Sequence, residues 1–382
     1  MDIEIKIVEG SKMLKTFIRL TAAIHQNDPD WLPPIYMDEY RFFNPIYNKA
    51  LGYCDTIMAI AFRKGVPSGR IMGIIHHPYN ELKNERTARF SHFECYNHSG
   101  VARALLGFIE NWAREKGMTQ VTGPYGFSDK DPQGFLVEGY GDTPLIDASC
   151  NLPYMVDLTI ENGYEKLVDC LTYRFSIHKM LPEIYNRVQQ RLLNSRRYEV
   201  IEFTTKRKLK PFIVPVLRLV NQTYQELYGF YPMDEAEMQD LASRYMPVID
   251  PRFVKVIKLE DEIAAFVVGL PNMTRGIQKA KGKMLPFGWI HILNGFRNAT
   301  QLDLMLGAVK NGQQGLGLEI CMGLRLLDSA KKAGMKTIET HLILETNTPM
   351  RSVIERLEVP VAKRYRVFRK VLDQQGSKEQ IR

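Results

Sequence analysis

Strand-like and helix-like hydrophobic patterns follow one another in a regular order through the first half of the chain. The opening "IEIKIVE" alternates like a strand, and "SKMLKTFIRLTAAIHQ" has apolar residues at helical spacing behind Ser11, the expected N-cap. A short helix is expected at residues 37–43. Three apolar strand patterns, "TIMAIAFRKG", "GRIMGIIHH" and "ARFSHFECY", then predict an antiparallel meander. The helical "GVARALLGFIENWAREKG", stopped by Gly117, and the extended "TQVTGPYG" end the series.

The second half of the chain repeats this order. Its elements are the strand "YEVIEFTT", helices at residues 209–228 and 234–245, the hairpin "FVKVIKLEDEIAAFVVGL" turning at 260–262, the strand "QLDLMLGAV", a helix at 315–333 and the strand "KTIETHLI". In addition, "AREKGMTQV" from Ala113 matches "AKKAGMKTI" from Ala330 at the equivalent place. The repeat favours an internal duplication.

The duplication predicts an α/β (α+β) protein with two tandem domains. We expect the first at residues 1–179 and the second at residues 198–382, joined by a connecting helix at residues 180–197. Each domain should have a mixed, mostly antiparallel central sheet flanked by helices. The length of 382 residues agrees with two domains, and 45% hydrophobic with 25% charged residues is typical of globular proteins.

The net charge of +8 suits an anionic partner, which could be nucleic acid, an anionic membrane surface or a phosphorylated cofactor. Nucleic acid is disfavoured, since the basic residues are spread and no recognition motif is present. The five cysteines are scattered singly and have no metal-ligand spacing with the histidines, so neither a disulfide framework nor a metal site is predicted. With no signal peptide and no apolar run near the ~20 residues that span a bilayer, we expect a cytoplasmic protein that is at most peripheral to the membrane.

The stretch "NGQQGLGLEI", residues 311–320, lies between a predicted strand and a predicted helix. A glycine-rich turn at a helix N-terminus can hold phosphate, because unpaired N–H groups and the helix dipole favour an anion and glycine allows close approach. The spacing fits neither GxGxxG nor the P-loop. The pattern is G-x-x-G-x-G, and an ordinary strand-to-helix turn is the alternative.

At this loop the chain resembles the GNAT acyltransferase superfamily, whose signature is [Q/R]-x-x-G-x-[G/A] between the fourth strand and the third helix. The order of elements in both halves is similar to that family's. The resemblance implies that the loop binds the pyrophosphate of an acyl-coenzyme A, and that an Asn after the fifth strand supports the cofactor. The cofactor-binding residues implied by this resemblance are Gly312, Gln313, Gln314, Gly315, Leu316, Gly317, Leu318 and Asn347.

The two halves depart from the family pattern in different ways. In the second half, Gly312 stands where the motif has Gln or Arg, and Ile354 stands where a tyrosine that acts as general acid is common. In the first half the loop is reduced to Gly100, but "NLPYMVDLTIENGYEKL" resembles the family's Asn/Tyr segment, with Asn151 and Tyr154. The Gly/Pro/Asp-rich "GPYGFSDKDPQGFLVEGYGDTP" is either a substrate loop or a surface insertion.

Acyl transfer from a thioester to an amine needs a neutral amine, a stabilised oxyanion and a way for the thiolate to leave. His92 and Glu94 are spaced i, i+2 on one strand and should share a face of the sheet. Asp303 is their counterpart in the second half, and Tyr154 is the candidate acid by resemblance. The alternative for each is ordinary: a solvated strand face for the charged residues and a core position for the tyrosine.

The insertion "NMTRGIQKAKGKMLPFGWIHILNGF" combines basic residues with aromatic ones. Such a segment could lie on anionic lipid, hold coenzyme phosphates or line a long-chain acyl site, and a solvated loop is the alternative. The residues concerned are Arg275, Lys279, Lys281, Lys283, Phe287, Trp289 and Phe296.

The resemblance implies an acyl-CoA-dependent N-acyltransferase that uses acetyl-CoA or a longer acyl-CoA as co-substrate, needs no metal, and acylates an amine acceptor of unknown identity. We expect the second half to hold the coenzyme and the first half to supply much of the acceptor surface. Two alternatives stay open: a long-chain acyltransferase that acts on a lipid-like amine at the membrane surface, and a catalytically inactive binding protein with the same fold.

Overall fold

The computed structural model describes residues 2–373, which fall into two compact units. Within this range, unit 1 consists of residues 2–170, 274–292 and 363–373, and unit 2 consists of residues 171–273 and 293–362. Neither unit is one continuous stretch of chain. The domain boundaries expected from the sequence stay a prediction.

The elements alternate between strands and helices from the start. The first part of the chain contains β1 (Ile3–Ile7), α1 (Gly10–Ile24), α2 (Tyr36–Phe42), β2 (Cys54–Arg63), β3 (Val66–His76), α3 (His77–Lys83), β4 (Thr87–Cys95), α4 (Ser99–Glu115), β5 (Gln120–Gly123), β6 (Phe135–Glu138), α5 (Tyr154–Glu161) and β7 (Glu165–Ser176).

The second part follows with α6 (Glu183–Asn194), β8 (Tyr198–Glu202), α7 (Lys206–Leu209), α8 (Ile213–Thr223), α9 (Glu235–Tyr245), β9 (Val254–Leu259), β10 (Glu262–Pro271), α10 (Thr274–Ala280), α11 (Gly288–Arg297), β11 (Gln301–Val309), α12 (Leu318–Lys332), β12 (Thr337–Thr340), β13 (Ile343–Leu344), α13 (Thr348–Glu355) and β14 (Val361–Val371). Short 3-10 turns lie at Lys49–Gly52, Lys210–Phe212 and Pro251–Phe253. None of the helices within residues 2–373 is both long and apolar enough to cross a membrane.

The sheet of unit 1 has the order β1-β2-β3-β4-β5-β14 and is antiparallel except for the parallel pair β4–β5. Alternate residues of its strands pack on opposite sides. Ile71 and Ile75 lie in the hydrophobic cluster formed with α4 and α5. Met72 and Ile74 lie in the cluster formed with α1 and α2. The sheet is therefore covered by helices on both faces.

Unit 2 repeats this arrangement, with the order β7-β12-β11-β10-β9-β8 and a single parallel pair, β11–β12. Val256 and Phe266 pack with residues of α8. Ile257 and Ala265 pack with residues of α6 and α12. The expected mixed, mostly antiparallel sheet flanked by helices is confirmed in both units.

The last strand of each sheet comes from an unexpected part of the chain. In unit 1, β5 pairs with the end of β14, where Phe368 lies opposite Gly123. In unit 2, β12 pairs with residues 174–176 of β7, where Phe175 lies opposite Ile338. Each half of the sequence therefore supplies the final strand of the other half's sheet.

Three expected element boundaries are wrong. Helix α1 begins at Gly10 with Glu9 before it, so Ser11 lies inside the helix and does not cap it. The helix expected at residues 209–228 is shorter, since Pro211 lies in a 3-10 turn ahead of α8. The helix expected from residue 315 begins at Leu318, because Gly315 and Gly317 have left-handed backbones that a helix does not contain. The hairpin turn at residues 260–262 is confirmed.

Candidate functional site

The glycine loop of unit 2, residues 310–317, connects β11 to α12. Gly312, Gly315 and Gly317 all have positive φ, at 79°, 74° and 89°. A Cβ added at Gly312 or Gly315 would have no heavy atom within 4 Å. A ligand therefore has room to approach the backbone at both positions.

Helix α12 starts from this loop without a side-chain cap. Gly317 is the N-cap residue, and no side chain of the described chain accepts a hydrogen bond from the first turn. The first N–H groups of this helix of 15 residues therefore have no side-chain acceptor among the described residues, and the helix dipole favours an anion near them.

The side chains of the loop divide into two kinds. Gln313 accepts a hydrogen bond from the Tyr198 hydroxyl at 2.7 Å, and Leu318 is fully buried, so both fix the loop to unit 2. Gln314 and Leu316 are exposed. The fixed side chains hold the backbone in place, while the exposed ones leave the loop open to solvent.

Strand β11 has an unpaired edge next to this loop. It pairs with β12 only from Gln301 to Leu304, opposite Thr337 to Thr340. Beyond Leu304 it continues to Val309, and no described strand pairs with residues 305–309 on that side. These residues are half-exposed, whereas residues 301–303 are buried. An extended molecule can pair with such an edge.

The structure places Asn347 at the N-cap of α13, where its side-chain oxygen accepts a hydrogen bond from the Met350 N–H at 3.3 Å. Ile354 of the same helix is buried in a cluster with Tyr173 and Ile343. These contacts account for Asn347 as a capping residue. Its expected role at the cofactor stays a prediction.

Asp303 is fully buried in unit 2 and is held in a polar network. Its carboxylate accepts hydrogen bonds from Asn272 and Gln301, both at 2.8 Å. Gln301 also reaches Glu339 at 3.2 Å, and Arg174 forms an ion pair with Glu339 at 2.7 Å. Such a network tethers the centre of the sheet. A catalytic role for Asp303 stays a prediction.

In unit 1, β4 bulges at His92, which has φ of 49°. Glu94 pairs with Arg70 while Ser91 pairs with Met72, so His92 and Phe93 together oppose one residue of β3. His92 and Glu94 both lie on the side of the sheet that α1 and α2 cover.

The ring of His92 lies in an aromatic pocket, with ring centroids of Phe17, Phe42 and Phe43 at 6.1, 5.2 and 5.1 Å. Burial, together with a smaller effect of the nearby Arg70, lowers the pKa of His92 to about 3. His92 is therefore neutral at physiological pH, and its Nδ1 lies 3.1 Å from the Ser91 hydroxyl.

Glu94 is ionised and paired. Burial acts to raise its pKa, but Arg70 at 3.0 Å and His25 at 3.6 Å overcome this and hold the pKa well below its ordinary value. A carboxylate with such a low pKa is a weak base. Its contacts with Arg70 and His25 connect β4 to β3 and to the end of α1, so Glu94 stabilises the packing of these elements.

Glu39 of α2 is a further candidate that the sequence pattern does not single out, and its Oε2 lies 3.8 Å from His92 Nε2. This oxygen is buried, and none of the described residues donates a hydrogen bond to it. Burial raises the pKa of Glu39 to about 7. A carboxyl group of this kind can take up a proton near neutral pH. No pattern in "YMDEYRF" distinguishes it from its exposed neighbour Asp38.

The hydroxyl of Tyr154 donates a hydrogen bond to the carbonyl oxygen of Cys95 at 2.9 Å. Burial raises the pKa of Tyr154 well above its usual value. The tyrosine therefore keeps its proton and closes the end of β4. Its expected role as general acid stays a prediction.

The described residues contain no group of three or more His, Cys, Asp or Glu side chains that could hold a metal ion.

No family model matches the chain. A bacterial ceramide synthase from Caulobacter vibrioides (strain NA1000 / CB15N) is 29% identical over 380 residues, which are 97% of this chain and 98% of that protein. A tandem GNAT protein from the clavulanic acid biosynthesis pathway matches with a TM-score of 0.56 at 13% identity, over 98% of this chain and 100% of the other. A GCN5-related N-acetyltransferase from Sphaerobacter thermophilus matches with a TM-score of 0.52 at 11% identity, over 97% of this chain and 96% of the other.

These similarities extend over nearly the whole chain and confirm the fold expected from the two repeated series of elements. The chain thus has a fold similar to that of tandem-domain GNAT proteins.

Proposed function

We propose that the protein is an acyl-CoA-dependent N-acyltransferase, that the glycine loop of unit 2 binds the coenzyme pyrophosphate, and that the acceptor is a long-chain amine. The observation that carries the proposal is the uncapped N-terminus of α12 behind three left-handed glycines. Such a terminus offers the donors and the positive potential that a pyrophosphate requires.

The unpaired edge of β11 supports the same ligand. The pantetheine arm of coenzyme A is an extended chain with two amide groups, and amides can hydrogen-bond to a free strand edge as another strand would. Residues 305–309 provide this edge next to the loop. The half-exposed Met305 and Leu306 add apolar surface for the methylene groups of the arm.

The choice of acceptor rests on the bacterial ceramide synthase that is similar over almost the full length of both chains. A ceramide is a fatty amide of a long-chain amino alcohol, so its formation is an acyl transfer to an amine. The length of the acyl group is left to experiment. Acetyl-CoA and palmitoyl-CoA are the two donors to compare.

The amine must lose a proton before or during attack. Of the acid–base candidates in unit 1, Glu39 has a pKa of about 7 and can exchange a proton at neutral pH. Glu94 and His92 are weak bases, because the pKa of Glu94 is held well below its ordinary value and that of His92 is lowered to about 3.

The experiment on binding uses two matched glycine substitutions at opposite ends of α12. Gly315→Ala and Gly334→Ala both place a methyl group at positive φ, 74° and 75°, with no atom within 4 Å. Both should lower stability to a similar extent. Only Gly315→Ala should weaken coenzyme A binding, by about tenfold to 100-fold, because charge-assisted hydrogen bonds are lost. Equal affinities in the two variants would refute the loop assignment.

Activity is tested by incubating the protein with a long-chain amine and either acetyl-CoA or palmitoyl-CoA. The amide product is measured by mass spectrometry, and the released coenzyme A by a thiol reagent. Formation of the amide with stoichiometric thiol release is the expected result. The buried Ile354, in place of a tyrosine, favours one rival: a binding protein without catalysis. That rival predicts coenzyme A binding with no amide from any acceptor tested.

A further inference from the structure

A segment of residues 275–297, here called the basic–apolar segment, carries an unusual run of charge. It contains five basic residues, and no Asp or Glu occurs anywhere between Asn272 and Leu302. All five are exposed, and none of them forms an ion pair with another described residue. These residues are Arg275, Lys279, Lys281, Lys283 and Arg297. A local positive surface of this kind attracts anions over a Debye length.

The same segment exposes large apolar side chains. Leu285 is 78% exposed, Phe287 68% and Trp289 47%. Ile290 and Leu293 of α11 are also exposed, and Leu293 lies one helical turn after Trp289. Soluble proteins rarely leave several large apolar side chains together in water unless the surface binds something.

The opposite side of the segment is held firmly on unit 1. Thr274 donates a hydrogen bond to the Pro144 carbonyl at 3.0 Å, and Gln278 donates one to the Trp31 carbonyl at 3.2 Å. The Tyr36 N–H donates to the Gly282 carbonyl at 3.0 Å.

Gly282 has no room for any other side chain. A Cβ there would lie 2.1 Å from the Pro34 carbonyl oxygen, and its φ is 67°. Ile277 and Ile292 are buried as well. The exposed residues are therefore presented by a fixed backbone, with buried contacts behind them.

We propose that the basic–apolar segment docks the protein onto an anionic lipid bilayer. The lysines would lie at the phosphate level, and Leu285, Phe287 and Trp289 would enter the boundary with the acyl chains. Charge complementarity selects this partner, since each basic residue near an anionic surface raises the affinity about fivefold. The apolar tip, Leu285, Phe287 and Trp289, adds a contribution that a soluble polyanion cannot provide. The docking is independent of the proposed acyl transfer and can be tested without turnover.

The first test measures binding of the full chain to vesicles of phosphatidylcholine alone and of phosphatidylcholine with phosphatidylglycerol, by co-sedimentation at low and high salt. We expect binding to the anionic vesicles, weaker binding at high salt, and at least about tenfold weaker binding to the neutral vesicles. Equal binding to both vesicle types, or binding to neither, would overturn the proposal.

Charge variants locate the surface. Lys279→Gln, Lys281→Gln and Lys283→Gln together should weaken binding to anionic vesicles about 100-fold. The matched control is Arg207→Gln, Lys208→Gln and Lys210→Gln, three exposed basic residues without an apolar tip, which should change binding by less than about twofold. The opposite ranking of the two triple variants would place the contact elsewhere.

Apolar variants separate lipid from other polyanions. Leu285→Ser with Phe287→Ser should weaken vesicle binding by about tenfold or more, while Met180→Ser, at a side chain that is 91% exposed, should not. Binding to transfer RNA is measured beside it. If the protein binds the RNA as tightly as the vesicles, and the serine variants change neither, the surface is a nucleic-acid site and the proposal is wrong.

Fluorescence reports the contact directly. Trp289 is exposed and Trp112 is buried, so transfer of Trp289 into lipid should shift the emission to shorter wavelength. Trp289→Phe should abolish the shift and Trp112→Phe should keep it. A shift that persists in Trp289→Phe would mean that another face meets the bilayer.

Discussion

The strand-to-helix connection differs between the two units. In unit 1, the His98 side chain caps α4 by accepting a hydrogen bond from the Val101 N–H at 3.2 Å, and the strand before it is mostly buried. In unit 2, the corresponding helix α12 has no side-chain cap among the described residues, and the second half of β11 is half-exposed. A duplicated element has thus been closed by side chains in one unit and left open in the other.

The strand edges differ in the same sense. The carbonyl of Phe90 in β4 accepts a hydrogen bond from the Tyr125 N–H, and that of Cys95 accepts one from the Tyr154 hydroxyl. On the β12 side of β11, residues 305–309 face no described strand, and within them the Gly307 carbonyl accepts one hydrogen bond, from the Tyr224 hydroxyl at 3.0 Å. The lesson is that one fold can serve for structure or for binding, depending on whether the chain itself satisfies the strand edge and the helix terminus.

The largest expected effect is at the glycines found at the start of the two helices, Gly317 at the N-cap of α12 and Gly100 in the first turn of α4. Gly317→Ala would place a Cβ 2.3 Å from Val188 Cγ1 at φ of 89°, so left-handed strain and overpacking should together cost about 3 kcal/mol of unfolding free energy. Gly100→Ala in unit 1 meets only side-chain atoms, at 3.0 Å and beyond, and should change stability by less than about 1 kcal/mol. Urea unfolding of both variants compares them, and equal losses would remove this difference between the units.

The next effect concerns the closed interior of unit 1. Glu39 has a pKa of about 7 when folded and an ordinary value of 4.5, so the folded state holds its proton longer than the unfolded state does. Stability should therefore be lost as pH rises from about 4.5 to about 7. Glu39→Gln should avoid this loss and be more stable than the wild type by roughly 2–3 kcal/mol at about pH 8, with no such gain at about pH 4.

The control is Asp38→Asn on the same helix, where the side chain is exposed. Urea unfolding at several pH values gives the difference from the wild type, in which other titrating groups largely cancel. A pH-independent difference for Glu39→Gln would show that Glu39 is not kept protonated by its surroundings.

A smaller effect tests which helix terminus holds the coenzyme. Leu316→Asp puts a negative charge in the open loop of unit 2, where it should weaken coenzyme A binding about fivefold at low salt through like-charge repulsion. Leu316→Asn keeps the shape without the charge. Asn97→Asp puts the same charge beside the capped helix of unit 1 and should leave the affinity unchanged. Calorimetry that finds the larger loss in Asn97→Asp would reverse the comparison.

The smallest expected effect is at Tyr154. Tyr154→Phe removes one hydrogen bond to the Cys95 carbonyl and should cost about 1 kcal/mol of unfolding free energy. Because the hydroxyl is occupied in closing β4, kcat should stay within about threefold of the wild type. A fall of about 100-fold in kcat with unchanged stability would instead identify Tyr154 as a general acid.

Much of the fold follows from the sequence, because alternating and helical patterns report which residues face the core. The loop between β11 and α12 could be located for the same reason: its glycines interrupt two strongly patterned elements. The exchange of β7 and β14 could not be predicted, since the pattern of a strand does not specify its partner.

The acid–base groups of unit 1 were found only in part. His92 and Glu94 stand out on a predicted strand, but the bulge that sets them apart from a regular ladder depends on the neighbouring strand. Glu39 comes close to His92 only through the packing of α2 on the sheet. The raised pKa of Glu39 results from burial by that packing, which the pattern of polar and apolar residues in α2 does not predict.

The central claim is that unit 2 holds the coenzyme through its open helix terminus. A crystal structure of the protein with coenzyme A tests this most directly. We predict electron density for the pyrophosphate against the backbone N–H groups of residues 315–318 and for the pantetheine arm along residues 305–309. Density for the pyrophosphate at residues 97–101 of unit 1, with the glycine loop of unit 2 empty, would contradict the account.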